Sequence, residues 1–441
     1  MEIIKSAFGK LGKKFNKGYE FYLSIYLIIN VIWLFLGMLI YNYFNFGYQN
    51  FSTVHVVFLI FNVLIILFLN LFHKVKFDKI DVFLILLCVF GFISFVFAEN
   101  KSVALYGYYL RYEGLLQLFY YYSLMYLSSL IYKDKSKSLI INFILVFGFI
   151  NALICLIQVF DVLKFIPINF RGTRHGMGLI THFNFYGSYM VLCMGLSLGR
   201  FLYCEKKSSW IYLFLFLIFY SSMLVCNTLS AVVGLGFICL FIFVYFIYSL
   251  FKKNSVNVFK YVLFFVISVL ISLGIVMSGK TGLFKDVKKL SVETTEVAKG
   301  NFNDSYGTSR MFIWKNTLRV VPKYLLHGAG VDNLCFAFGE KMLYMESPTT
   351  VTYVDKAHNE YLQKLVCEGV FSCITYIGML FIIFLGSVKR FFKEKNYIIM
   401  SLFLAFFGYC IQAFFNISVI EIAPIFWIIC GLLITRKCKV L

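Results

Sequence analysis

Twelve stretches of this chain are apolar over the length needed to cross the hydrocarbon core of a bilayer, about 17 to 25 residues each. They fall near 20–41, 52–72, 81–98, 114–131, 138–160, 177–199, 209–226, 230–251, 258–278, 365–387, 396–415 and 418–434. No other feature constrains the fold as tightly. With no water in lipid to hydrogen-bond the backbone, each run must satisfy its own amide groups as a helix. The alternating ten-residue pattern of a membrane barrel is absent. Of the 441 residues, 61% are hydrophobic and only 14% charged. A soluble domain carries about 25% charged residues, so a water-soluble fold is excluded. The expectation is an all-α polytopic membrane protein with about 12 transmembrane helices.

The formal charge of +20 would suggest nucleic acid in a soluble protein. Here the basic residues sit between the apolar runs and set topology. The amino-terminal segment and every second inter-run segment hold 24 of the 41 Lys and Arg; the short segments of the other class hold five. The positive-inside rule then predicts both termini in the cytoplasm and one long loop outside. The stretch Phe21–Ile40 follows five lysines without a small-residue cleavage site and reads as a retained helix. The organisation is helices 1 to 9 over residues 1–278, a large extracytoplasmic loop over 279–364, and helices 10 to 12 with a short tail over 365–441. Twelve cysteines, mostly inside apolar runs and without a CxxC pair, give no disulfide scaffold.

Three clusters at the outer face carry chemistry. In the long loop a helix is predicted over 309–325, with Met311, Trp314, Leu318, Val321 and Leu325 on one stripe and Arg310, Lys315 and Arg319 on another. Thr308 or Ser309 is placed to cap it, and Pro322 to bend or end it. The plainer reading of this helix is a segment lying on the membrane surface. At the loop's end, Asp355-Lys356-Ala357-His358-Asn359-Glu360-Tyr361 sets an imidazole at the entrance of a span. A histidine there can accept a proton at neutral pH, with Asn359 and Glu360 to orient it, or it can simply cap the helix. The third cluster, Arg171-Gly172-Thr173-Arg174-His175, is a compact cationic patch before the sixth run. Guanidinium groups suit bidentate phosphate binding, or they snorkel to the interface. Arg111 precedes the fourth run, where it pairs with Glu113 or contacts phosphate or sugar. The tyrosines at 106, 108, 109, 112, 120 and 121 form an aromatic belt or a sugar-stacking set. His175 and His182, seven apart, suit no standard metal pair.

These residues resemble the O-antigen ligase and O-antigen polymerase superfamily of bacterial membrane glycosyltransferases. His358-Asn359-x-Tyr361-Leu362-Gln363, followed by Glu368-Gly369, is similar to the family's signature at the end of its large periplasmic loop. Ser309-Arg310-x-x-x-Trp314, running through Pro322 to Gly328-Ala329-Gly330, resembles its Arg-x-x-x-Trp segment. Arg171 to Asn184 resembles its arginine-containing loop. One departure stands out: the family's Thr-x-Ser-Arg start of a span is Thr228-Leu229-Ser230-Ala231 here, without the arginine.

The resemblance implies an enzyme that transfers or polymerises an oligosaccharide carried on undecaprenyl pyrophosphate. The acceptor would be a glycan or lipid-linked hydroxyl, and the site would face outward from the cytoplasmic membrane, in capsule or other surface-polysaccharide synthesis. It implies no cofactor and no metal ion. Arg171, Arg174, Arg310 and Arg111 would hold pyrophosphate or glycan together with Asn359 and Glu360, and His358 would be the catalytic base. A base opposite the leaving group predicts inversion at the anomeric carbon. The rival reading is a flippase for lipid-linked oligosaccharide. Transporters more often line a central cavity with intramembrane charges, whereas the polar residues here gather at one face.

Overall fold

Every one of the twelve apolar runs is a helix in the computed structural model. It describes residues 19–434 apart from 45–46, 74, 110, 161–175, 253–256, 340–343 and 348–349, together with residue 436. In chain order the helices are α1 (Tyr19–Phe44), α2 (Tyr48–His73), α3 (Lys79–Val96), the short α4 (Lys101–Tyr106), α5 (Leu115–Ser129) and α6 (Asp134–Phe160). Then come α7 (Phe183–Tyr203), α8 (Trp210–Cys226), α9 (Leu229–Phe251), α10 (Val258–Met277), α11 (Leu283–Ala298), α12 (Arg310–Tyr324) and the single turn α13 (Leu334–Ala337). A small antiparallel hairpin, β1 (Tyr344–Ser347) and β2 (Thr350–Tyr353), precedes α14 (Glu360–Glu394), α15 (Tyr397–Ala413) and α16 (Ala423–Ile434).

The twelve helices are of two kinds. Eight are long and apolar enough to cross a membrane: α1, α2, α3, α6, α8, α9, α10 and α14. They keep much apolar surface outside the protein. Phe21, Ile60, Leu64, Phe92, Phe214, Leu270 and Ile374 are each more than half exposed, a distribution that only an apolar solvent tolerates. The other four, α5, α7, α15 and α16, form the interior. Every residue from Phe185 to Leu202 is buried, as is every residue from Ala423 to Leu433.

Close backbone approach holds this interior together. A side chain at Gly195 would meet the Ala405 nitrogen at 2.4 Å, and one at Gly199 the Ser401 Cα at 2.4 Å. α7 and α15 therefore cross on a small-residue face, the usual contact where lipid offers no hydrophobic drive to associate. Polar side chains supplement it. Tyr120 donates to Asn30 Oδ1 (2.9 Å), Asn62 Nδ2 to Ser123 Oγ (2.7 Å), and His55 Nδ1 lies 3.0 Å from Gln117 Oε1. Tyr120 and Tyr121 are thus wholly buried core residues and belong to no interfacial belt, whereas Tyr106 and Tyr109 are exposed.

The inter-run segments sort to opposite ends of the bundle. At one end Glu20 accepts from the Tyr132 and Lys133 amides, and Arg436 pairs with Asp81. At the other end the Glu99 amide donates to Ala329 (3.0 Å), the Tyr108 amide to Asp332 (2.7 Å) and the Thr181 amide to Glu421 (3.3 Å). The second end carries the long loop.

The expected loop helix is present as Arg310–Tyr324, with Pro322 inside its last turn, but its start differs from expectation. Thr308 and Ser309 both adopt left-handed backbone angles, φ 57° and 64°, and neither caps the helix with its side chain. α14 is broken at Gly369, where φ is 86°. The Gly328-Ala329-Gly330 segment lies in that break: Ala329 donates to Val366 O (3.0 Å), Gly330 to Cys367 O (3.0 Å), and Val370 to Leu325 O (2.7 Å). Any side chain at Gly328 (φ 78°) would meet Cys367 O at 2.2 Å.

Candidate active site

Asp355 to Asn359 is an irregular strand that ends at α14, and almost every residue in it is fastened to a different element. Asp355 accepts from Arg111 Nε at 2.8 Å. Lys356 is buried and pairs with Glu113 (2.9 Å) and Asp332 (2.8 Å). The Ala357 amide donates to Gln363 Oε1 (2.8 Å), and its carbonyl accepts from the Trp314 indole (3.0 Å). Asn359 Oδ1 accepts from the Tyr361 and Leu362 amides (3.1 and 3.0 Å), the usual helix N-cap arrangement. Between these anchors His358 sits in a left-handed conformation, φ 50°. That conformation costs on the order of 1 kcal/mol or more for a residue with a Cβ, so it persists only because its neighbours are fixed.

His358 is mostly enclosed. Burial pulls its pKa from 6.5 down to about 4; the positive charges of Arg310 and Arg111 and the nearby His182 add to this, and Asp355 opposes it. The ring is therefore neutral at physiological pH, the form that can accept a proton. Arg310 opens α12 and gives Nη1 to the Gly307 carbonyl and to Thr308 Oγ1 (3.2 and 3.1 Å). Its Nε is buried with no partner among the described residues. A guanidinium N–H left unpaired in the interior is costly, which makes it ready for an anion. The Arg111 guanidinium lies 5.5 Å from the centre of the Phe185 ring.

Below this layer lies a charged interior. A cavity of about 50 Å³, room for a few waters, is lined by Glu113, Asp332, Lys356, Glu360, Lys364 and Glu368. Lys364 and Glu368 pair at 2.7 Å within α14, and Ser372 donates to Glu368 (2.8 Å). Glu360 Oε1 accepts from Tyr376 at 2.5 Å. Burial alone would pull the Lys356 pKa down, but Asp332 and Glu113 outweigh it and hold the ammonium well above its usual value.

The structure thus brings together His358, Arg310 and Arg111, as the sequence predicts, and adds Asp355, Lys356 and Trp314. Two expectations are corrected. Among the described residues Arg111 pairs with Asp355, and Glu113 instead serves Lys356. Asn359 and Glu360 do not orient the histidine by side-chain hydrogen bonds; one caps α14 and the other faces Tyr376. Arg171, Arg174 and His175 lie outside the described residues. Sequence reasoning also missed Lys364 and Glu368, which sit at the outer start of the tenth apolar run, before the break at Gly369. Their i,i+4 spacing was the available signal; Glu113 stood out only beside Arg111, and nothing local pointed to Asp332.

Fold and site define a polytopic helical membrane protein with a histidine- and arginine-bearing polar centre at one end of its bundle. The model of the O-antigen ligase family matches residues 212–377, which include Arg310, Trp314, Lys356 and His358. The match supports assignment of the chain to the O-antigen ligase family, and with it a ligase- or polymerase-like membrane glycosyltransferase. No curated protein matches the chain significantly.

Proposed function

We propose that the protein transfers or polymerises an oligosaccharide held on undecaprenyl pyrophosphate, with His358 as general base. The observation that carries this reading is a neutral imidazole, held by its fixed neighbours within electrostatic reach of two guanidinium groups, one of which has a buried N–H with no partner among the described residues. The acceptor hydroxyl gives its proton to His358 as its oxygen attacks the anomeric carbon. The bond from that carbon to the pyrophosphate oxygen breaks with its electron pair, and the lipid pyrophosphate leaves. Arg310 and Arg111, joined by Arg171 and Arg174, stabilise the charge that develops on the leaving group, the task that dominates such transfers. No divalent cation is needed in this scheme, and attack opposite the leaving group inverts the anomeric carbon.

In the same reading all twelve helices are embedded in the cytoplasmic membrane. The basic end, with both termini, faces the cytoplasm, and the His358 end faces outward, in keeping with the 24-to-5 bias of basic residues between short segments. The test is the chain length of surface glycan in cells that carry His358→Ala at native membrane abundance. Loss of polymer with accumulation of single lipid-linked units supports the reading. Unchanged polymer overturns it and favours the flippase.

A further inference from the structure

The long loop opens with α11, an amphipathic helix that the protein covers on one side only. Residues 283, 287, 290, 294 and 297 fall on one stripe at helical spacing, with Phe284 on its flank. Leu283 is buried and Leu290 and Val297 are half-buried, but Phe284 is 74% exposed and Val287 43%. Lys285, Lys288 and Lys289 are exposed on the rest of the helix. Two hydrogen bonds set its level. Thr281 Oγ1 donates to Leu224 O (2.8 Å) in the last turn of α8, and the Gly282 amide to Asn227 Oδ1 (2.6 Å), between α8 and α9. α11 therefore starts level with the ends of two helices that are long and apolar enough to cross a membrane. α10, which precedes it, carries an exposed apolar flank of Val269, Leu270 and Leu273 and ends at Met277, itself 85% exposed.

We propose that α11 is a membrane-surface anchor: its Phe284 and Val287 face seats in the headgroup layer at the His358 end of the bundle, and its lysines bind anionic phospholipid. A helix of this kind buries its apolar face several Å into the interface and keeps its cations level with the phosphates. Placement favours lipid, because α11 begins at the bilayer edge and continues from the lipid-facing flank of α10. Charge favours an anionic surface. Between residues 280 and 289 four lysines stand against one acid, Asp286. The acids further along are engaged: Glu293 accepts from the Gly307 amide (2.9 Å) and faces Lys289 (3.7 Å), and Glu296 pairs with Lys299 (2.8 Å). Lys280, Lys285 and Lys288 have no ion pair among the described residues. The seat also reaches the site. Glu293 holds the Gly307 amide, and the Gly307 carbonyl accepts from Arg310 (3.2 Å), so a seated α11 steadies the turn that presents this guanidinium.

The test places the full-length protein in nanodiscs of phosphatidylcholine alone, or of phosphatidylcholine and phosphatidylglycerol in equal parts, and follows amide hydrogen exchange over residues 283–298. Exchange should be slower in the anionic discs, by roughly fivefold for each lysine that meets the surface. The variant Lys280→Gln/Lys285→Gln/Lys288→Gln should erase the difference between the two lipids. Phe284→Gln/Val287→Gln should speed exchange in both, whereas Val292→Gln, on the opposite face of the helix, should leave it unchanged. The segment 305–310 should follow α11 in each case, through Glu293. Equal exchange in the two lipids overturns the anionic seat. Exchange that is slow in both and indifferent to Phe284→Gln/Val287→Gln marks a helix held by the protein alone and overturns the membrane seat itself; exchange that is fast in both does the same. None of these readouts needs transfer activity, so the anchor can fail while the transferase reading stands, and the reverse.

Discussion

The two ends of the bundle differ in what their buried cations meet. At the basic end Lys133 pairs with Glu20 and Arg436 with Asp81, while other cations are spent on oxygens at helix ends. Lys260 gives its three protons to Phe201 O, Cys204 O and Ser209 Oγ, while Lys137 donates to Leu432 O and Arg390 to Leu433 O. These carbonyls terminate helices, where the macrodipole leaves partial negative charge. At the His358 end the cations meet carboxylates from distant segments or, like Arg310 Nε, meet nothing among the described residues. Backbone strain follows the same division. Of the seven described non-glycine residues with left-handed φ, Lys395 alone lies at the basic end. Buried guanidinium nitrogens without a hydrogen bond among the described residues occur at both ends, Arg200 Nε and Arg436 Nε at the basic one and Arg310 Nε at the other; what sets the His358 end apart is its left-handed backbone and the buried Lys356 clamp.

The sharpest challenge to this contrast is His358→Ala. Loss of a general base costs about 10²- to 10⁴-fold in turnover, so polymer on a gel should vanish while the protein's melting temperature in detergent stays near native. Lys356→Met comes next. It strands two buried carboxylates, and detergent denaturation should register about 3–5 kcal/mol of lost stability together with lost transfer. If Lys356→Met retains native stability, the clamp on the 355–359 segment is not what holds the base. Gly328→Ala introduces a Cβ against Cys367 O in a left-handed residue. A loss of about 1–3 kcal/mol is expected, with transfer falling because the loop unseats from α14.

The pH dependence is milder. With the His358 pKa lowered to about 4, transfer should be flat from neutral pH down to about 5 and fall as pH drops through about 4. Because the unfolded chain binds the proton at 6.5 and the native state does not, this residue also lowers stability as pH falls from 6.5 to 4. A transfer profile that breaks near 6.5 would show an ordinary exposed histidine. The smallest effect on activity should come from the basic end: Lys260→Met should cost about 1–3 kcal/mol in stability and leave polymer length unchanged.

Much of this was legible in the sequence where the signal is local. Apolar run length found all twelve helices, and the His358–Gln363 and Arg310–Trp314 segments marked the site. The division into interior and lipid-facing helices was less visible, since Ile, Leu and Phe serve both; only the Gly195 and Gly199 spacing and the tyrosines of α5 hinted at it. The partners of Lys356 were invisible. Glu113 and Asp332 lie 243 and 24 residues away in sequence, and no periodicity encodes a pairing that the fold alone creates. Val321 and Leu325 were placed on one stripe with Met311, yet the open groove beside α12 takes only Met311, Trp314 and Leu318 of that stripe.

The break at Gly369 changes how α14 should be measured. As one rod of 35 residues it would overshoot any bilayer; divided there, the stretch from Val370 to Glu394 still rises about 37 Å at 1.5 Å per residue. That alone suffices for a hydrocarbon thickness of about 30 Å. The two turns from Glu360 to Glu368 are thereby relieved of spanning, and can serve as a rigid bracket that carries the outer site while the remainder of the helix anchors it in the membrane.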